Sequence, residues 1–324
     1  MSGCRPPVEN EITNRVTRRV TFTAVGVVWL IAASGLATAQ PGAPPLVQAA
    51  RNQDLDVVRQ LLADGAAVSE SQTDGSTALH WAVHWERPET VDLLIAASAD
   101  VNAANDLGMT PIVMAGTSGN GAIVRRLLAA GADVSATGAG GETVLMLATR
   151  AGSLDAVTAL IEAGVDVNAR ETTREQTALM WAAAGAHPSI VAVLLEQGAD
   201  VQARSRTSSR VFNMGGSRSA GSASSGIAVE EVAQGGSTPL LFAARSGDVE
   251  SARLLLDAGA DVHDTTADGN SALIIAAHSG QGSVAALLLE HGADPNAAPL
   301  GYAPLHAAVV RGTLRDRSVA STDP

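Results

Sequence analysis

Residues 238–262 read Thr238-Pro239-Leu240-Leu241-Phe242-Ala243-Ala244-Arg245-Ser246-Gly247-Asp248-Val249-Glu250-Ser251-Ala252-Arg253-Leu254-Leu255-Leu256-Asp257-Ala258-Gly259-Ala260-Asp261-Val262, and nearly every other part of the chain is a variant of them. The opening threonine recurs as Thr77, Thr110, Thr143, Thr177 and Thr238, with Ser271 and Ala303 in the same slot, at steps of 33, 33, 34, 61, 33 and 32 residues. Self-similarity at this period is the mark of a stacked repeat array, in which each unit buries its apolar face only against its neighbours.

The chemistry of one unit accounts for the pattern. Thr110-Pro111 and Thr238-Pro239 set a candidate N-cap hydroxyl before a residue with fixed φ and no N–H, which writes a helix start. This first helix is short and alanine-rich, so neighbours approach closely, while Leu79, Leu145 and Leu179 fill the layer between them. A second helix follows with apolar residues at helical spacing, such as Ile123, Val124, Leu127 and Leu128. A glycine then stands where that helix must end in a left-handed residue. Ser98 is the exception, and the conformation costs it about 1 kcal/mol relative to glycine.

Gly301-Tyr302-Ala303-Pro304-Leu305-His306-Ala307-Ala308 and Gly131-Ala132-Asp133-Val134 carry a resemblance to the ankyrin repeat family, whose unit runs G-x-T-P-L-H-x-A-A, then an amphipathic helix ending L-L, then G-A-D-V-N-A. The resemblance covers roughly residues 44 to 312. It implies an all-α solenoid of helix-turn-helix units joined by short β-hairpin loops. It also implies that His80 and His306, in the fourth position of the motif, tie neighbouring turns together rather than bind a metal.

Composition agrees. The chain has 324 residues, 46% hydrophobic and only 2% aromatic, which suits thin layers of Ala, Leu and Val. Net charge is −12 and every basic residue is arginine, a poor balance for nonspecific nucleic-acid binding, which needs many cations on one face. Arg15, Arg18 and Arg19 precede an uncharged run from Val20 to Gly35, and Ala37-Thr38-Ala39 closes it with small residues. Residues 1–39 therefore read as a signal peptide, and the chain as exported to a periplasm or secreted. The alternative is an uncleaved N-terminal membrane anchor, but the run is shorter than the roughly 20 residues that span a bilayer. Cys4, the only cysteine, falls inside this segment.

Residues 40–45 read as a linker, 46–312 as the array and 313–324 as a tail. The first unit carries the polar residues of a solvent-facing cap. The eighth lacks its second helix, so Leu287, Leu288 and Leu289 are expected to be poorly covered. The long step between the fifth and sixth units is an insertion, 205–234, whose serines and glycines give it loop composition. It is either a tolerated surface loop or a flexible binding arm.

No motif for metal, phosphate, haem or acyl chemistry is present, so the sequence predicts neither an enzyme nor a cofactor. The Asp-Val-Asn turns lack the spacing of a calcium loop and read as turn caps. The resemblance then implies a protein-interaction scaffold whose partner is another protein. The alternatives are an accessory subunit of an exported enzyme or electron-transfer complex, with catalysis on another chain or on a missing C-terminal region, and a structural spacer. In the family, contacts come from the hairpin tips and from the two residues after the alanines of helix one. Here that implies His84 and Trp85, Thr117 and Ser118, Arg150 and Ala151, Arg245 and Ser246, and His278 and Ser279 along one concave face.

Overall fold

A computed structural model describes residues 42–214, 228–297 and 304, which lie within one compact unit, Ala39–Pro324. The proposed signal peptide, the tip of the insertion, nearly all of the eighth unit with His306, and the tail lie outside the described residues. Helices alternate along the chain in pairs: α1 (Pro45–Arg51) and α2 (Leu55–Ala63), α3 (Ala78–His84) and α4 (Pro88–Ala96), α5 (Pro111–Ser118) and α6 (Gly121–Ala129), α7 (Val144–Arg150) and α8 (Leu154–Glu162), α9 (Ala178–Ala184) and α10 (Pro188–Glu196), α11 (Pro239–Ser246) and α12 (Val249–Asp257), α13 (Ala272–Ser279) and α14 (Gly282–Glu290). Odd-numbered helices pack on the next odd-numbered helix and even on even, so the pairs form an inner and an outer row. Among the described residues no helix is long and apolar enough to cross a membrane.

Burial follows the slots of the repeat. From α3 to α11, counting from the opening Thr, the first, second, fifth and sixth residues of each inner helix are buried, as Ala178, Leu179, Ala182 and Ala183 show in α9. The outer helices contribute Val58, Leu94, Leu127, Leu160, Leu194 and Leu255 from below. Ser98 takes the left-handed conformation at φ 65°, where the equivalent residue in the next unit is Gly131 at φ 86°.

Helix starts differ in detail from the sequence expectation. Thr143, Thr177 and Ser271 accept hydrogen bonds from the third residue of their helices, but the hydroxyls of Thr110 and Thr238 do not cap. These are the two threonines followed by proline, whose preset φ and missing N–H start the helix without the cap.

Backbone clasps join successive turns. Asn102 donates to Gly131 O (3.1 Å) and accepts from Asp133 N (2.8 Å); Asn168 does the same with Gly198 O (3.0 Å) and Asp200 N (2.7 Å). The aspartates before them cap their own turns, Asp100 accepting from Asn102 N (2.9 Å) and Asp166 from Asn168 N (2.9 Å).

The insertion is not the loop its composition suggested. Strands β1 (Thr207–Met214) and β2 (Ala228–Gly235) pair antiparallel from Thr207↔Gly235 to Met214↔Ala228. Elsewhere the same place in the unit holds a tight hairpin closed by one bridge, such as Thr137↔Thr143, so the insertion is an elongated version of a finger every unit has. Below it the stack is unbroken. Ser246 Oγ donates to Ala183 O (2.8 Å), Gln202 Nε2 to Gly259 O (2.8 Å), and Arg204 to Gly236 O (3.0 Å) and Thr265 O (2.9 Å). Arg204 also pairs with the buried Asp264, whose carboxyl is nonetheless pushed up by burial.

The far end also differs from expectation. Leu287 and Leu288 of α14 are buried, and of the three leucines only Leu289, 45% exposed, faces outward. Leu127 and Leu194 are fully buried between layers. Leu127→Ala or Leu194→Ala should cost about 2–5 kcal/mol in chemical denaturation, and losses below about 0.5 kcal/mol at both, the scale of exposed sites, would contradict this packing.

Candidate partner-binding face

An α-helix turns about 100° per residue, which puts the fourth and seventh residues after the opening Thr opposite the buried first, second, fifth and sixth. The seventh slot holds His84, Thr117, Arg150, Ala184, Arg245 and His278, and Arg51 takes the same place at the end of α1. All lie on the inner helices' free side, and all are exposed except the half-buried Arg51. The eighth slot is mixed. Trp85, 39% exposed, ends α3, and its ring meets His84 edge-on at 4.7 Å. Ser246 is half-buried with its hydroxyl committed to Ala183, whereas Ser118 is exposed and donates to Ala115 O (3.1 Å) in its own helix. Thr117 likewise donates to Val113 O (2.8 Å). Ala151 is exposed and Ser279 half-buried.

The fourth slot is not singled out by the sequence. It holds Trp81, Met114, Leu147, Trp181, Phe242 and Ile275, of which Leu147 and Ile275 are buried and the other four only partly so. The signal was present: a large apolar residue fills, in every one of these units, the position that T-P-L-H-x-A-A leaves open. Arginines cover two of these rings. The Arg51 guanidinium lies 5.1 Å from the Trp81 ring centre and that of Arg150 lies 5.4 Å from Trp181, within cation–π range. Trp181 Nε1 donates to Gln176 Oε1 (2.9 Å), while the buried Trp81 Nε1 has no partner among the described residues.

His80 acts between layers. Its Nδ1 accepts from Thr77 N (3.1 Å), which leaves Nε2–H to donate to Met109 O (2.9 Å) of the next finger. Burial holds its imidazole below the usual histidine value, and His84 is lowered for the same reason. Glu171, buried in the fifth finger, accepts from the amides of Thr173 (2.6 Å), Arg174 (2.7 Å) and Gln176 (3.2 Å), so it shapes a loop. Among the described residues no group of three or more His, Cys, Asp or Glu could hold a metal.

The family model for ankyrin repeats (three copies) matches residues 27–105, 46–138, 112–205, 223–299 and 240–316. The chain belongs to the ankyrin repeat family. Among solved structures it is similar to the human ASB11 ankyrin repeat domain, with a TM-score of 0.61 and 27% identity over 78% of this chain and 99% of that one. Among curated proteins it is similar to the 2-5A-dependent ribonuclease of Homo sapiens, 38% identical over 76 residues, and to the RelA-associated inhibitor of Mus musculus, 38% over 78 residues. These alignments cover 23% and 24% of this ankyrin repeat chain, and it spans 10% of the length of each relative.

Both lowered histidines give this ankyrin array a definite acid response. The unfolded chain takes up protons at these sites near the usual value of about 6.5 before the folded chain does, so their stabilising effect is present above that pH and lost as pH falls through the depressed folded values. Chemical denaturation between pH 7.5 and 5.5 should show stability falling with pH. The fall should be shallower in His80→Met, since Met146 and Met180 occupy the same slot in other units; an unchanged slope would remove His80 from the account.

Proposed function

We propose that this protein is an exported, non-catalytic scaffold that binds another protein through the free side of its inner helices. The observation that carries the reading is the fourth-and-seventh-slot stripe, in which Trp81, Trp181 and Phe242 stay partly open beside the exposed Arg150 and Arg245. Tryptophan and arginine are the residues most enriched at binding hot spots. Membership of a family whose arrays generally serve protein–protein interaction supports it. Trp85 adds an exposed indole at the end of the same row. The titratable groups buried among the described residues have structural partners, His80 between fingers and Glu171 within one.

Export rests on the arginine-flanked apolar run and the small residues before Gln40. The protein recovered from a periplasmic or secreted fraction should begin at Gln40, and a chain retaining Met1 in the membrane would favour the anchor.

A photo-crosslinking residue in place of Thr117, on the inner helices, should give protein adducts in cells of the source organism, and one in place of Glu162, at the end of an outer helix, should not. Equal adducts from both, or none from Thr117, would count against the reading. With a captured partner, Trp85→Ala combined with Arg150→Ala should weaken binding by about 2 kcal/mol or more with little change in melting temperature. A large drop in melting temperature with no separate effect on binding would return Trp85 to a structural role.

A further inference from the structure

Charge is segregated between the two rows of helices. Three inner helices carry an arginine in their last turn, Arg51 on α1, Arg150 on α7 and Arg245 on α11, and two a histidine, His84 on α3 and His278 on α13, while α5 and α9 carry no basic residue there. Cations at helix C-termini offset the helix dipole, but that rule does not produce the segregation, because the outer helices break it. Glu162, Glu196, Asp257 and Glu290 are the last residues of α8, α10, α12 and α14, and Asp64 caps α2.

The outer row also neutralises its arginines. Arg59 pairs with Asp56 (3.1 Å), Arg126 with Asp92 (2.8 Å), Arg125 with Asp155 and Arg253 with Glu250 (4.0 Å). Arg51, Arg150 and Arg245 form no ion pair among the described residues. In a chain of net charge −12 with carboxylates in excess, three cations on one row left without one are a matched surface for carboxylates from elsewhere. Two of the three lie over indole rings, which pre-orders the guanidinium while its N–H edge remains able to grip a carboxylate.

Resting on the reading that this face binds protein, we propose that its occupant is an extended acidic segment of the partner. Its carboxylates sit on Arg51, Arg150 and Arg245, and its apolar side chains lie on the partly open Trp81, Trp181 and Phe242. Packed helices are about 8–10 Å apart. Arg150 and Arg245 are two layers apart, and Arg51 and Arg150 three, so with about 3.3 Å per extended residue the acids stand about five or six residues apart over the first interval and about eight over the second.

A protein segment fits better than a nucleic acid. Trp81 and Trp181 each carry a guanidinium already, which leaves less open ring for a base to stack on. The fingers beside the row carry Asp74, Asp106, Glu142 and Asp268, which repel a continuous polyphosphate but leave room for spaced carboxylates.

The test pans a library of random linear peptides on the full chain and measures the selected peptides by fluorescence anisotropy, with single-stranded oligothymidylate as a second probe. Selected peptides should combine Asp or Glu at these intervals with apolar residues and weaken with salt. Their Gln and Asn versions should bind at least about tenfold more weakly, and Arg51→Gln/Arg150→Gln/Arg245→Gln should lose them while the Lys triple variant keeps part of the affinity. If the Gln variant does not fold, the neutralised peptides on the native chain decide alone. Neutral or basic winners, or winners indifferent to the Gln variant, overturn the acidic segment while leaving protein binding in place. Arginine-dependent oligothymidylate binding without peptide binding overturns it in favour of nucleic acid. No binding of either probe overturns it and counts against the protein-binding reading as well.

Discussion

Everything in this molecule depends on burial between neighbouring layers. No unit covers its own apolar face: Leu127 and Leu160 reach zero exposure because the next pair of helices lies against them. The inner helices permit this by being narrow, with alanine or glycine at the contact places, as at Ala115 and Gly116 in α5. A Cβ at Gly116 would stand 2.8 Å from a methyl carbon of Val144 in α7, closer than packed atoms tolerate. Close approach in turn brings the fingers into register, where His80 and Arg204 join one unit to the next by hydrogen bonds.

That constraint also assigns the leftover surface. From α3 to α11 the first, second, third, fifth and sixth residues of each inner helix are buried in the stack, so the fourth and seventh lie on the side turned away from it and are free to vary. Their variation is not random in this chain, since from α3 to α13 the fourth is always large and apolar, and the seventh is never acidic in the described units. Selection for stacking alone leaves such positions polar and mixed in sign. A surface that pairs aromatic rings with unneutralised arginines has the composition of a binding surface, on a fold that places no constraint on what is bound.

The repeat period, the helix pairs and the turn glycines were legible in the residues because each is a local rule repeated at a fixed offset. The seventh slot could be taken from the family's pattern as well, which led to Arg150, Arg245 and His84. Trp81 and Trp181 were missed because a large apolar residue inside a helical pattern reads as core, and only the packed array shows which side of a short helix has no neighbour. The β1–β2 finger was missed for a different reason. Its serines and glycines gave loop composition, while the pairing of Thr207–Met214 with Ala228–Gly235 extends a finger base that the flanking units hold, Ser205 N donating to Ser237 O (3.0 Å) and Ala267 N to Gly235 O (2.9 Å).

The layers pack as one stack, continuous through the insertion, with the free side of the inner helices left uncovered. Hydrogen exchange followed across a urea series tests it most directly, because it reads α3 on one side of the insertion and α13 on the other within the same sample. In a cooperative stack both helices lose protection at a common midpoint. Two separated midpoints, divided at residues 205–234, would show two independent arrays and contradict it.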